Sequence, residues 1–446
     1  MSEKMKKGFR ITRILLVVIG IIGLAGIALF QLDNRSLNIV VVSEENDTEE
    51  FFFSNDVIAE GRCADFVFEN TSEVKIKKLR YYGKLKSIML QEINFGGVAA
   101  YIDTVDQGEM YWVEDGIMVT GEDEVHVTMN DAYVEMVKDL SATLLQERLI
   151  LAGYWIGIIG LALILCSAVQ EICTKDKRNN HGPIFETKKF FDDTNKYWQY
   201  IVYSARADLK AEVADSYLNR LWWLLEPFFN MLVYVIVFGG VMGNSIENYA
   251  TFVFSALLMW NFFNKIIGYS VKLVRTNKDV LAKVYIPKFV ILFSNMILNL
   301  FKLLFSMLVL VVMMFIFKIH IGFNLFWVLP AYGVMILLAF GAGMIFLHFG
   351  VYVDDLSYAV GILLNMLMFL SGIFYDVMAT LPAPLNGIMM CINPTAMLVD
   401  TMRHALLHNA AMNLPILGMW FLLSIVLCYV GIHIVYKNEN SYVKVV

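Results

Sequence analysis

Charged residues are scarce in this sequence, where Asp, Glu, Lys and Arg together make up 17% of 446 residues. A water-soluble domain carries about 25% charged and roughly 45–50% apolar residues. Here 58% of the residues are hydrophobic, and the mean hydropathy is +0.60. The excess lies in runs of about 17–25 residues, the length that crosses a hydrocarbon core as a helix. The composition excludes a soluble globule and predicts an α-helical polytopic membrane protein.

Several chemical signatures are also missing. The five cysteines form no C-x-x-C pair and show no metal-ligand spacing, so neither a disulfide framework nor a metal site is predicted. The sequence has no G-x-x-x-x-G-K-[ST] loop that could cradle ATP phosphates. It also lacks H-E-x-x-H and G-x-S-x-G. We therefore expect a chain that is not an enzyme and binds no cofactor itself.

Eight segments are apolar enough to be candidate membrane spans. They comprise residues 14–30, 149–169, 227–241, 249–268, 287–317, 324–349, 357–375 and 415–436. The first follows a basic flank as a signal peptide does, but it is long for one and no small-residue cleavage motif follows. We interpret it as a retained anchor.

The distribution of Lys and Arg predicts the orientation, because cytoplasmic flanks of spans collect positive charge. Basic clusters precede the first span, follow the second and separate the fourth from the fifth. All three fall on one side if every span crosses. Both termini, residues 1–13 and 437–446, are then cytoplasmic, and the chain is a multi-pass protein of a bacterial plasma membrane.

The segment 31–148 differs in kind from the rest of the chain. It carries 24 acidic against 10 basic residues, a net charge of −14, which places it on the outer side. Stretches such as VKIKKLRYY and EVHVTM alternate apolar and polar residues between glycine-rich turns, a pattern typical of β-strands. We predict an inserted extracytoplasmic β-rich domain, with a helix near 131–148 leading into the span 149–169.

Residues 170–226 are predicted to hold a cytoplasmic linker and then an amphipathic helix. Apolar residues recur at i+3/i+4 from Leu209 to Leu224, with charged residues on the opposite face. Such a stripe, with Trp222 and Trp223 at its end, fits a helix lying in the membrane interface. A coiled-coil or bundle helix is the alternative.

Two further features lie within the predicted six-helix core, residues 227–436. The stretch 378–412 is broken by prolines into halves too short to span, which suggests two short helices entering from the outer face around Asn393 and Pro394. Ionisable residues inside spans indicate function by default. Lys265 can snorkel to the interface, whereas Lys302 lies deeper and is expected to face a cavity or a partner helix.

From residue 203 to 436 the chain resembles the polysaccharide-exporting permeases of ABC transporters, which include teichoic-acid and O-antigen exporters. The resemblance rests on four segments in the order that family has them. The matching positions of the interfacial helix are Asp208, Leu209, Lys210, Ser216, Leu218, Leu221, Trp222 and Pro227, with Arg220 and Trp223 beside them. Those of a cytoplasmic loop are Asn277, Leu281, Lys283, Val284 and Pro287, with Arg275 and Lys278 beside them. Those of an outer segment are Asn393, Pro394 and Arg403. In the remaining segment, Asp354 and Gly372 replace the Arg and Pro that are usual in the family.

The resemblance implies a dimer of two such chains above two separate ATPase subunits, which hold ATP and magnesium. The cargo implied is a lipid-linked glycan, and no nucleic acid is expected as a partner. The loop from Arg275 to Pro287 is then the contact with the ATPase, although its lysines are also explained by the positive-inside rule alone. Membrane lipid surrounds the remaining faces.

Aromatic residues supply a candidate path for the glycan, since sugar rings stack on aromatic faces. The candidates at or near span ends are Phe228, Tyr234, Trp260, Phe263, Phe374 and Tyr375. An interfacial aromatic belt is the alternative interpretation.

Other functions stay open on sequence grounds. The same superfamily exports drugs, lipids and peptides. A membrane-bound transferase using Asp400, His404 and His408 is a second alternative, although these residues have no recognisable catalytic spacing. A sensor that binds its ligand through segment 31–148 is a third.

Overall fold

The structure is a computed structural model. It describes residues 3–30, 37–42, 48–53, 57–58, 60–69, 74–82, 89–94, 99–113, 116–142, 145–174, 183–214, 217–218, 221–241, 246, 248–319, 322–381, 385–407 and 412–445.

Helices dominate the described residues. They are α1 Glu3–Phe30, α2 Asp131–Ala142, α3 Leu145–Thr174, α4 Pro183–Val213, α5 Trp222–Tyr234, α6 Tyr249–Thr276, α7 Lys278–Lys283, α8 Lys288–Ile316, α9 Val328–Tyr352, α10 Leu356–Leu370, α11 Val377–Thr380, α12 Leu385–Ile392, α13 Pro394–Leu406 and α14 Leu414–Val445. A π-helical segment, Val235–Val241, continues α5, and a 3₁₀ turn, Phe323–Trp327, precedes α9.

Seven helical segments in the described part are long and apolar enough to cross a membrane, so the chain is a multi-pass membrane protein. They are Arg10–Ile27, Leu145–Glu171, Trp222–Gly240, Tyr249–Thr276, Lys288–Ile316, Phe323–Tyr352 and Leu414–Tyr442. The prediction of an eighth full-length span at 357–375 was wrong. Helix α10 has 15 residues, or about 22 Å, and ends before Gly372, whose φ of +65° is incompatible with a continuing α-helix.

Between α1 and α2 the described residues form eight strands. They are β1 Leu37–Val42, β2 Thr48–Phe53, β3 Asp65–Glu69, β4 Val74–Ile76, β5 Lys78–Tyr82, β6 Met89–Asn94, β7 Ile102–Val113 and β8 Gly116–Met129. One sheet has the order β2-β1-β5-β6, and in the other β8 pairs with β3, β4 and β7. Every pairing is antiparallel. The two sheets and α2 enclose a hydrophobic cluster of their own, which includes Phe66, Phe68 and Tyr133.

The main hydrophobic cluster lies among the helices that follow, with α6 and α9 at its centre. These two helices approach each other very closely near Gly350. A Cβ atom on Gly350 would lie 2.1 Å from the carbonyl oxygen of Val271. This contact joins backbone to backbone, so no larger residue fits at position 350 without moving a helix.

Helices α1 and α3 attach to this core from one side. Three glycines of α3, Gly153, Gly157 and Gly160, pack against side chains of α14. The Tyr154 hydroxyl donates a hydrogen bond to the carbonyl of Pro415. Helix α1 packs against α3, where Gly23 faces the Trp155 ring. The two N-terminal spans are therefore built onto the last helix of the core.

Helix α4 differs from the predicted interfacial helix. The stripe from Leu209 to Leu224 does not lie on one continuous helix, because α4 ends at Val213 and α5 begins at Trp222. Leu209 and Val213 are buried, whereas Leu221 is exposed. The intervening sequence contains Asp, Ser and Asn, whose side chains compete for backbone hydrogen bonds and disfavour helix interiors.

Candidate functional site

Helix α7 forms an exposed platform between the ends of α6 and α8. Its Leu281 is buried as an anchor, while Lys278, Val280 and Lys283 are exposed. Val284 and Tyr285, directly after α7, are each 56% exposed. We call these five exposed side chains the coupling surface. Two lysines around three apolar groups can contact an acidic surface that also offers hydrophobic side chains.

Both ends of α7 are tied to longer helices. At its N-terminal end, the Asn277 amide donates to the Leu273 carbonyl at 2.8 Å and to the Tyr269 hydroxyl at 3.1 Å. Beyond its C-terminal end, Pro287 is buried and precedes α8. Helix α7 is therefore fixed between α6 and α8.

A buried ion pair connects α8 to α14 beside the coupling surface. The Lys288 ammonium lies 3.8 Å from the Glu439 carboxylate, and both side chains are at most 5% exposed. The Lys288 backbone N–H and the Tyr285 hydroxyl also donate to Glu439, at 3.2 and 3.0 Å. Partial burial and the Glu439 carboxylate both raise the pKa of Tyr285, so its hydroxyl stays protonated and can donate.

Arg275 has a carboxylate partner that sequence reasoning missed. Its guanidinium forms an ion pair with Asp354 and donates to the carbonyl of Val351 at 3.4 Å. Asp354 stands where the family usually has an arginine. Asp354, with a charge opposite to that of the usual arginine, is thus paired with Arg275, which lies 79 positions earlier. No local sequence pattern could indicate this contact between residues so far apart.

The residues predicted for the interfacial helix fall on two helices. Asp208 and Lys210 lie near the end of α4, and Trp222 and Trp223 lie at the start of α5. Arg220 is outside the described residues. Trp223 packs with Leu209 of α4 and Leu298 of α8 in a small hydrophobic cluster. The two pieces therefore meet on α8 even though the helix between them is interrupted.

The aromatic residues proposed for a substrate path do not form one row. The Phe374 ring lies 4.8 Å from the Tyr234 ring and stacks on Phe238 at 4.4 Å. Trp260 and Phe263 are instead buried in the core, at 2% and 8% exposure. Phe228 lies against Phe229, with ring centroids 6.0 Å apart. Among these candidates, Phe374, next to Tyr375, links the segment after α10 to α5 and its π-helical continuation.

Arg403 organises the outer segment. It is 5% exposed, and its guanidinium donates to the carbonyls of Gly372 and Ile373 at 2.7 and 2.8 Å. It also lies 3.4 Å from the centroid of the Phe252 ring. The positive charge thus interacts with carbonyls near the C-terminal end of α10, where the helix dipole is negative.

Asn393 and Pro394 lie at the junction of α12 and α13. The sequence predicted short helices on either side of this pair. The Asn393 side chain accepts hydrogen bonds from the backbone N–H groups of Thr395 and Ala396, at 3.1 and 3.3 Å. Proline follows as the first residue of α13, where its missing N–H costs nothing. An asparagine N-cap followed by proline is a common way for a helix to begin.

A polar cavity of about 160 Å³ lies between α5, α6 and α8. Lys302 lines it and forms an ion pair with Glu212 of α4, so it faces a cavity and a neighbouring helix together. Lys265 lines the same cavity and lies 3.5 Å from Glu226. The sequence singled out both lysines, but it did not indicate that they share one cavity.

These features define a polytopic membrane core with an exposed loop platform, and comparison with known proteins gives its class. Residues 200–407 match the family described as ABC-2 type transporter. This match supports a type-2 ABC exporter permease, with residues 200–407 similar to the membrane domain of that family.

Individual relatives carry a narrower description than the family does. The chain is 24% identical over 246 residues to the O-antigen export system permease protein RfbA of Klebsiella pneumoniae, covering 55% of this chain and 94% of that protein. It is 27% identical over 210 residues to the protein of the same name from Myxococcus xanthus, covering 46% of this chain and 79% of that one.

Proposed function

We propose that this chain is the membrane half of an ATP-driven exporter that carries a lipid-linked glycan out of the cytoplasm. The observation that carries the proposal is the coupling surface, an exposed helix fixed at both ends to α6 and α8. The ATP is hydrolysed on separate ATPase subunits that bind there, since the sequence has no phosphate loop. The glycan cargo is inferred from the relatives, which are named O-antigen export system permease proteins.

In this proposal two copies of the chain enclose the path. Much of the apolar surface of α5 and α10 is exposed, including Val233, Ile236, Tyr358 and Ile362. Such faces suit either lipid or a second copy, and the cluster around Phe374 lies at their outer ends. Closure of the ATPases would push α7, and the ion pair between Lys288 and Glu439 would carry that movement to α14.

The basic clusters favour a cytoplasmic location for α7 and both termini, in a bacterial plasma membrane. The sheets between α1 and α2 are then extracytoplasmic, in agreement with the net charge of −14 of segment 31–148. The segment 378–412, with Asn393, Pro394 and Arg403, closes the outer end of the path.

Charge reversal on the coupling surface tests the proposal. Lys278→Glu combined with Lys283→Glu should lower export about tenfold or more, because juxtaposed like charges cost several kcal/mol at an interface. The control reverses two other exposed lysines, Lys188→Glu with Lys437→Glu, and should leave export near wild type. Co-purification of the ATPase and glycan export are measured together. Unchanged export in the Lys278/Lys283 variant would reject the role assigned to α7.

A further inference from the structure

The cavity between α5, α6 and α8 is lined mainly by polar groups, although the helices around it are apolar. The polar lining residues are Trp223, Glu226, Asn230, Asn261, Lys265, Asn299, Lys302 and Ser306. Ionisable groups within membrane helices are costly and usually face water or a ligand. Two lysines in one intramembrane cavity therefore require a functional explanation.

The cavity lies at the edge of the membrane where α5 begins. Residues 222–241 form 20 helical residues, which span about 30 Å, the thickness of the hydrocarbon core. The α5 residues that line the cavity, Trp223 to Asn230, occupy the first half of this length. Lys302 faces Glu212 at the end of α4. The cavity therefore begins near the level where lipid headgroups meet the hydrocarbon and extends about halfway along α5, with Lys302 at the middle of α8.

Of the two lysines, Lys265 is held only weakly by its present partner, whereas Lys302 is largely buried and closely paired with Glu212. Lys265 and Glu226 are 43% and 55% exposed and 3.5 Å apart, and exposed pairs of this kind contribute about 0–1 kcal/mol. The indole N–H of Trp223 is buried and has no hydrogen-bond partner among the described residues. The cavity thus offers a ligand the Lys265 ammonium, an unused N–H donor and amide groups, beside the Glu226 carboxylate and the paired Lys302.

The surroundings of the cavity are apolar. Phe301, Leu304 and Phe305 of α8 are 40–53% exposed, and the Phe305 ring lies 5.7 Å from the Trp223 ring. A ligand with an anionic head and an apolar tail could place its head among the lysines and its tail along these side chains.

We propose that this cavity binds the phosphate-bearing headgroup of a lipid. Phosphate oxygens accept strong hydrogen bonds from ammonium groups, and a phosphate can recruit Lys265 from its exposed pair. The cavity suits a metal ion poorly, because both lysines would repel it. That the bound lipid is the glycan carrier rests on the proposed function, whereas the headgroup site itself does not.

Binding of dodecyl phosphate to the full chain in neutral detergent tests the site, with dodecyl glucoside as the uncharged probe. Native mass spectrometry should show one saturable dodecyl phosphate per chain and no saturable dodecyl glucoside. Lys265→Gln with Lys302→Gln should raise the Kd at least about tenfold, because each lysine lost removes a charge-assisted hydrogen bond. Lys272→Gln, an exposed lysine of α6 outside the cavity, should leave the Kd unchanged. Equal binding by wild type and the double variant would overturn the proposal.

A second variant covers the case in which the double variant fails to fold. Glu226→Gln removes the competitor for Lys265, so dodecyl phosphate should bind more tightly than to wild type. A purely structural ion pair predicts no tightening, and that result would also overturn the proposal.

The source of the phosphate is identified by the mass retained on the chain purified from its own host. A glycolipid that is retained by wild type and lost from the double variant is the expected result. Retention of only bulk phospholipid would overturn the carrier role. Because the dodecyl phosphate measurement needs neither ATPase nor transport, a failure of the headgroup site is distinguishable from a failure of the export function.

Discussion

The two N-terminal spans are buried far less than the two central helices of the core, α6 and α9, although α5 at the edge of the core is as exposed as α1. In the most apolar stretch of each helix, 78% of residues are buried in α6 and 61% in the α9 segment, against 6% in α1 and 17% in α3. The family match, residues 200–407, includes α6 and α9 but neither N-terminal span. The transporter domain is thus organised around two buried helices, to which α1 and α3 are added at the edge.

The sheets between α1 and α2 extend this contrast. Their buried side chains form a cluster that shares no member with the helical core. Contact to the core runs through the start of α3, where the Cys391 thiol donates to the Gln146 carbonyl at 3.6 Å. A region with its own core is expected to fold and unfold independently of the helices.

The largest predicted effect comes from breaking the close contact of α9 with α6. Gly350→Ala should destabilise the protein by about 3 kcal/mol or more, since the added methyl meets backbone that cannot move without shifting a helix. Thermal unfolding in detergent, followed by size-exclusion chromatography, measures the loss.

The matched control is Gly333→Ala in the same helix. A Cβ atom there meets nothing within 4 Å, and alanine has the higher helix propensity. We expect stability equal to or slightly above wild type. Equal melting temperatures for the two variants would show that the α6–α9 contact is looser than described.

Removing the sheets should have a smaller effect on the core. If residues 31–144 are replaced by a short Gly-Ser linker, the core should melt within about 4 °C of wild type, because a loss of 1 kcal/mol shifts Tm by about 2–4 °C in domains of 150–250 residues. ATPase co-purification should persist. Aggregation of the shortened chain would mean that the sheets and the core form one cooperative unit.

The smallest predicted effect concerns the pH response of the sheets alone. Burial tends to raise the pKa of Glu92, but hydrogen bonds from Arg80 at 2.8 Å and Lys78 at 3.0 Å outweigh it and lower that pKa below its ordinary value of 4.5. A lowered carboxyl pKa stabilises the fold above the ordinary value, and this stability is lost as the pH falls through the lowered one. Because the groups are partly exposed, the effect is about 1 kcal/mol or less.

Hydrogen exchange of β5 and β6 measures this response. Protection, corrected for intrinsic rates, should fall between pH 6 and pH 3 in wild type and less so in Glu92→Gln. An identical fall in both proteins would assign the acid response to other groups.

The sequence predicted the membrane class, most spans and the alternating strands because these follow from local periodicity. It also predicted short helices on either side of Asn393 and Pro394, because prolines break this stretch. The predicted helix 208–225 failed because an apolar stripe does not show where the backbone turns. Helix α10 was predicted too long because its end depends on the left-handed conformation of Gly372, whose carbonyl binds Arg403 from 31 positions away.

The same limit applies to the candidate site. The basic loop from Arg275 to Pro287 was visible in the sequence. The pairing of Arg275 with Asp354, and of Lys302 with Glu212, joins residues 79 and 90 positions apart. Helix packing sets such contacts, and no spacing rule reports them.

The most direct test of the account is export by purified components. The chain is reconstituted in vesicles with and without its ATPase subunits, and movement of lipid-linked glycan across the bilayer is measured with ATP present. The account predicts transport only when the ATPase is bound, and loss of that transport in the Lys278→Glu, Lys283→Glu variant. Full transport by the chain alone would contradict it.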